Sequence, residues 1–203
     1  MYKLPKLNFE FQDVEPYIDI HTIGLHYFKH EQIYLDKLNK LLDDEDYDYK
    51  YGINELVYHI DEFSKDKRED ILFNLGGVLN HNLYFRCINL NGFKPDGELK
   101  KVIVNKYGSF DLFWKKFKEI ALSLKGSGYT FLVLRNDMNI DIINLSNQET
   151  PLSYGFIPLF NIDMWEHAYY MNYENDKARY IDNFLNIADF SYASEVYEKA
   201  MYL

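Results

Sequence analysis

"YTFLVLRNDMNIDIINLS", residues 129–146, is where the hydrophobic period of this chain changes. Two β-branched and aromatic runs, 129–135 and 139–146, flank the polar "NDM", which predicts a β-hairpin. "FIPLFNID" (156–163) reads as a third strand. Upstream the period is helical. "DIHTIGLHYFKHEQIYLDKLNKLL" (19–42) repeats Ile23, Tyr27, Tyr34, Leu38 and Leu41 at three- and four-residue steps, with Asp19 or Thr22 as its cap. A second helical stretch covers about 53–63, and a third, 67–89, is apolar on most faces and so expected to be buried. Gly76 and Gly77 interrupt that third helix, which predicts a close approach to its backbone. "LLDDEDYDYKYG" (41–52) reads as a solvated acidic loop, and the turn-rich "NLNGFKPDG" (89–97) divides the chain. Beyond it, helices are predicted at about 97–106, 109–124 (capped by Ser109), 165–175, 177–187 and 191–202. The expected fold is α+β. An N-terminal helical hairpin domain, 1–89, precedes a C-terminal α+β domain, 90–203, with a small antiparallel sheet of about three strands.

Composition narrows the function. The 203 residues are enough for one large domain or two small ones, and 18% aromatics exclude a disordered chain. A net charge of −10 argues against a general nucleic-acid partner, because phosphate is repelled. No apolar run is long enough for a membrane span, and no secretory pattern opens the chain. Cys87 is the single cysteine, so neither an internal disulfide nor a thiolate metal site is expected. A reducing, cytoplasmic setting is the expectation.

The chemistry lies in the histidines. His26, His30 and Tyr34 recur at four-residue steps on one helix face, among large apolar neighbours that turn that face inward. His81 sits in the most apolar helix, and Asp163 and His167 flank a strand-to-helix junction in "NIDMWEHAYY". Singly, each inward histidine reads more readily as a hydrogen-bonded core residue, and Asp163 as a helix cap. Together they make a set of imidazoles with one carboxylate, suited to Fe, Mn or Zn. Such a site is either structural or open to substrate, and the ligand types alone leave both readings standing.

In these motifs the chain resembles the iron/manganese superoxide dismutases, from "KLPKLNFEFQDVEPYID" to the last helix. The resemblance implies that His26 in "IGLHYFKHEQ", His81 in "GGVLNHNLYF", and Asp163 and His167 in "DMWEHAYY" ligate the metal. It implies 2 O2•− + 2 H+ → O2 + H2O2, with superoxide as substrate and a metal alternating between the +3 and +2 states. Tyr34, backed by His30, would gate entry and relay protons, and Gln148 would supply an amide that tunes the centre. Gly77 paired with Gln148 matches the manganese-type pattern, so one Mn ion per subunit is expected, with Fe possible. Trp165 keeps the family's identity. Glu166 would reach His167 of a second subunit and Tyr170 would reach its His30, which predicts a homodimer.

Departures lie in the aromatic shell. Phe85, Tyr129, Phe131 and Phe190 stand where the family usually has Trp, and Glu31 where a His is common. The alternative reading is a family member that binds metal in a structural or storage role with altered or lost turnover. Intact Tyr34, His30 and Gln148 speak against it. An iron oxygenase fits less well, since its facial triad has two His and one carboxylate. His21 and His59 are expected at the surface.

Overall fold

The computed structural model describes residues 1–202. Asp19 caps the first helix, its carboxylate accepting from the His21 and Thr22 amides. Helix α1 (Ile20–Leu25) then runs into a π-helical segment, His26–Glu31, before α2 (Gln32–Asp43). The sequence predicts one unbroken α-helix here, and the difference matters. A π turn closes from residue i to i+5, so it brings position 31 over position 26. Glu31 is thereby carried inward, to zero exposure, while His30 is left half-buried. The expectation that His26, His30 and Tyr34 share an inward face therefore holds fully only for His26.

The stretch expected as a second helix is 3-10 over Leu56–Glu62, broken at His59, whose φ of −114° and ψ of 17° leave the helical region. Helix α3 (Arg68–Arg86) is buried along most of its length, as its lack of a polar face requires. It packs along α2. Leu35, Leu38 and Leu42 meet Ile71, Leu75, Val78 and Leu79 in a small core. Tyr47, Tyr49 and Tyr51 of the acidic loop also pack on this core, so the loop is solvated chiefly at Asp43, Asp44, Asp46, Asp48 and Lys50.

The turn-rich 89–97 is no loose linker. Ile88 bridges Ala188 and Phe93 bridges Asp189, which ties the segment to the C-terminal region. Helices α4 (Gly97–Tyr107) and α5 (Phe110–Ser123) follow, the latter capped by Ser109. The three strands are β1 (Gly128–Leu134), β2 (Ile140–Ser146) and β3 (Ile157–Asp163), antiparallel in the order β2-β1-β3. Every residue of the central β1 is buried. The predicted helix at 165–175 is instead a single turn at Glu166–Ala168 and another at α6 (Tyr170–Tyr173). Helices α7 (Lys177–Phe184) and α8 (Ser191–Met201) complete the larger core, in which Trp114 stacks on Phe117 and Phe160 on Phe190, with Phe113 edge-on to Phe190. The end of α3, the end of β3 and the π segment meet between the two cores.

Candidate metal centre

At that meeting point one ligand atom from each of His26, His81, Asp163 and His167 lies within 4.8 Å of the others. The first three residues are buried, and the His167 side chain is 12% exposed. Each arrives on a different element. The π segment supplies His26, α3 supplies His81, the last residue of β3 supplies Asp163, and the turn after it supplies His167. Asp163 serves two ends at once. Its Oδ1 accepts from the Trp165 amide at 2.7 Å in an Asx turn, whereas the N-cap of the turn that follows is Trp165 and not, as expected, Asp163. Its Oδ2 faces the imidazoles, 3.1 Å from His26 Nε2, 3.3 Å from His167 Nε2 and 3.9 Å from His81 Nε2.

The donor set fits a metal ion. Neither nitrogen of His26 has a hydrogen-bond partner among the described residues, although Nε2 is so close to Asp163. Atoms this near without hydrogen-bond geometry point at a shared third position, not at each other. His81 Nδ1 donates to the Gly77 carbonyl at 2.6 Å, which fixes the tautomer and leaves the Nε2 lone pair facing the centre. Burial pushes His26 down to about 4 and His81 well below the ordinary histidine range, so both rings are neutral at physiological pH. Burial alone would raise Asp163. The imidazoles of His167 and His26 more than offset it and hold the carboxyl well below the usual range. Neutral nitrogens and an ionised carboxylate are the states that coordinate metals.

The surrounding shell is built by close contacts. Gln148 Nε2 donates to the Tyr34 hydroxyl at 3.1 Å. The predicted close approach at the paired glycines is present twice: a Cβ on Gly76 would collide with the Gln148 carbonyl oxygen, and one on Gly77 would lie 2.5 Å from the Tyr34 ring. His30 stacks on His167 with centroids 4.0 Å apart, and Trp165 stacks on it at 5.7 Å while donating its indole N–H to the Asn147 carbonyl. Glu166 and Tyr170 are exposed beside the centre, and among the described residues neither side chain makes a hydrogen bond or ion pair to the four converging residues. Of the two histidines expected at the surface, His21 is exposed, whereas His59 is half-buried and stacked on Tyr51 at 3.6 Å.

Sequence reasoning misses three positioning residues. Asn80 donates to the Glu149 carbonyl and so clamps the Gln148 loop to α3. Asn161 donates to the Asn80 carbonyl and clamps β3 to the same helix. Tyr84 lays its buried ring 4.9 Å from His26. The available signal was an amide inside an otherwise apolar run, which usually marks a buried polar tie.

Residues 1–89 match the family described as iron/manganese superoxide dismutases, alpha-hairpin domain, and residues 95–196 match the C-terminal domain of the same enzymes. The chain is 36% identical over 200 residues to a protein named superoxide dismutase [Mn] from Listeria innocua, covering 98% of each. It is also 36% identical over 202 residues to one of the same name from Thermus aquaticus, again with 98% of each covered. With the four converging side chains, these likenesses give one conclusion: the chain belongs to the iron/manganese superoxide dismutases, oxidoreductases that disproportionate superoxide.

Proposed function

We propose that this superoxide dismutase works with one manganese ion per subunit, held by His26, His81, Asp163 and His167. The observation that carries the ligand set is the convergence of four ligand atoms within 4.8 Å, with a buried imidazole otherwise left unpaired. When bound, the ion supplies the one-electron couple that oxidises one superoxide and reduces the next. The chain's residues do the rest. Tyr34 and His30, both half-buried, stand between solvent and the buried ligands, so substrate passes them. Burial raises the Tyr34 hydroxyl above its ordinary value, so it keeps its proton at neutral pH. Its oxygen accepts from Gln148 Nε2, which leaves the O–H free to donate toward a reduced dioxygen species. A storage site needs no such hydroxyl–amide pair.

Manganese is supported by where the amide comes from. Tyr34 fills the space beside Gly77, so no side chain can enter from that helix position, and the 147–150 loop supplies Gln148 instead. The Listeria and Thermus relatives carry manganese in their names. Metal analysis of protein expressed with both ions available, read beside activity per bound metal, tests the choice. Manganese-loaded protein is expected to be the more active form, and a more active iron form would overturn the assignment.

The proposal extends to a homodimer with Glu166 and Tyr170 at its two-fold interface. Tyr170 and Met171 are 49% and 62% exposed beside the centre, an apolar surface that a second copy would cover. Residues 1–89 and 90–203 are read as its two domains, each giving two ligands. Among the described residues no helix is long and apolar enough to cross a membrane, and the one cysteine, Cys87, is buried. With the acidic charge, these support a cytoplasmic enzyme without a nucleic-acid partner.

A further inference from the structure

The larger core holds a pair of phenols that packing does not explain. Tyr84 and Tyr180 are fully buried, and their hydroxyls lie 3.3 Å apart. Among the described residues each hydroxyl has only the other as its partner. Two buried polar groups that satisfy only each other stabilise a fold little more than two apolar groups of the same shape, so phenylalanine at both positions would fill this core as well. The pair touches the metal centre. The Tyr84 ring lies 4.9 Å from the His26 ring. Beyond the pair, Tyr180 packs on Tyr169 at 5.1 Å and on Tyr173 at 5.7 Å, and Tyr173 is 5% exposed. Contact between aromatic side chains therefore runs from a ligand to the edge of the molecule. The other phenols beside the ligands lack this continuation: the Tyr34 hydroxyl meets the Gln148 amide, and the Tyr129 hydroxyl meets His81 itself.

Dismutation releases hydrogen peroxide beside these side chains, and peroxide is itself an oxidant. A phenol gives up an electron and its proton more readily than an imidazole does, so Tyr84 is oxidised in preference to His26. We propose that Tyr84 and Tyr180 form a radical relay that spares the ligand imidazoles when product peroxide is reduced at the centre. Peroxide takes two electrons and two protons, its O–O bond breaks, and two waters form. Tyr84 supplies the first electron and proton and is left as a neutral tyrosyl radical. It then takes the hydrogen atom of the Tyr180 hydroxyl across the 3.3 Å contact, so the Tyr180 O–H bond breaks as that of Tyr84 re-forms. The unpaired electron has moved away from His26, and the restored Tyr84 supplies the second electron and proton. Two phenols thus match a two-electron oxidant. The assignment rests on the ligand set proposed above.

Metal-loaded protein carrying ring-deuterated tyrosine, mixed with hydrogen peroxide and frozen, tests this by electron paramagnetic resonance, with mass spectrometry of digests for oxygen added to His26. Wild type is expected to show a tyrosyl signal narrowed by the deuterium. Tyr84→Phe and Tyr180→Phe each keep the ring that fills the core and remove only a hydroxyl. Tyr84→Phe is expected to lose the signal while oxidation of His26 rises severalfold, and Tyr180→Phe to keep a weaker signal from Tyr84 alone. A tyrosyl signal unchanged in Tyr84→Phe, a wild-type radical on Trp165 in place of tyrosine, or equal His26 oxidation in wild type and Tyr84→Phe would each overturn the proposal. A failure of the ligand set itself would show separately, as wild-type metal content in His81→Ala.

Discussion

At the scale of single residues, Glu31 is the oddest feature of the molecule. Its carboxyl is fully buried, neither oxygen has a partner among the described residues, and burial pushes it up to about 8 from an ordinary 4.5. The folded state therefore binds this proton more tightly than the unfolded chain does. The stability linked to Glu31 is fully present below about pH 4.5, declines as pH rises, and is lost beyond about pH 8. Each pKa unit corresponds to about 1.4 kcal/mol, so the carboxylate weakens the fold by a few kcal/mol in mildly alkaline solution. Glu31→Gln is expected to stabilise the protein by about 2 kcal/mol at pH 8.5 and to change little at pH 5. Denaturant unfolding at the two pH values checks this, and an equal effect at both would contradict it. Glu31 falls on the same four- and three-residue repeat as Tyr27, Tyr34, Leu38 and Leu41, but a lone carboxylate there reads as an exposed residue. The π turn leaves no residue signature here. His26 was legible because it lies before that turn among apolar neighbours.

At the scale of elements, the pairing of α2 with α3 sets Tyr34 and Gln148 side by side next to the site. Gly76 and Gly77 let the Gln148 loop and the Tyr34 ring press against the α3 backbone. Gly77→Ala would set a Cβ 2.5 Å from that ring, so Tyr34 or the helix must move. Overpacking of this kind costs about 1–3 kcal/mol, and a displaced Tyr34 loses its bond to Gln148. Thermal unfolding and turnover of Gly77→Ala are both expected to fall, with metal content retained; wild-type turnover would contradict the contact's role. The glycine pair was readable because a helix that is otherwise apolar gains nothing from glycine except closeness. The strands were readable from their change of period, and β1, β2 and β3 fall within a residue of their expected bounds. Less was legible at 53–63 and 165–175. Periodicity reports which residues turn inward but not how tightly a turn closes, so 3-10 turns passed for α-helix.

At the scale of the whole molecule, four ligands arrive from four elements separated by up to 141 positions, and only the complete fold assembles them. Glu166 carries the proposal one step further, to a second copy. With its carboxylate removed, each His167 in a two-fold dimer would lose an acceptor, a loss of about 1–3 kcal/mol per contact. Glu166→Ala is therefore expected to sediment with more monomer than wild type and to hold less metal in the same sample. A mutant dimer with unchanged metal content would separate the interface from the site. The sequence could order the ligands along the chain, yet their convergence depended on ties such as Asn80 and Asn161, which no periodicity announces. The most direct test of the central claim is metal content and superoxide dismutation measured together on wild type and His81→Ala. His81 is fully buried, and its removal takes away one of the three imidazoles at the centre. Wild type is predicted to dismutate superoxide in proportion to its bound metal, and His81→Ala to lose both metal and activity. Full activity in a demonstrably metal-free preparation, or an active and metal-replete His81→Ala, would contradict it.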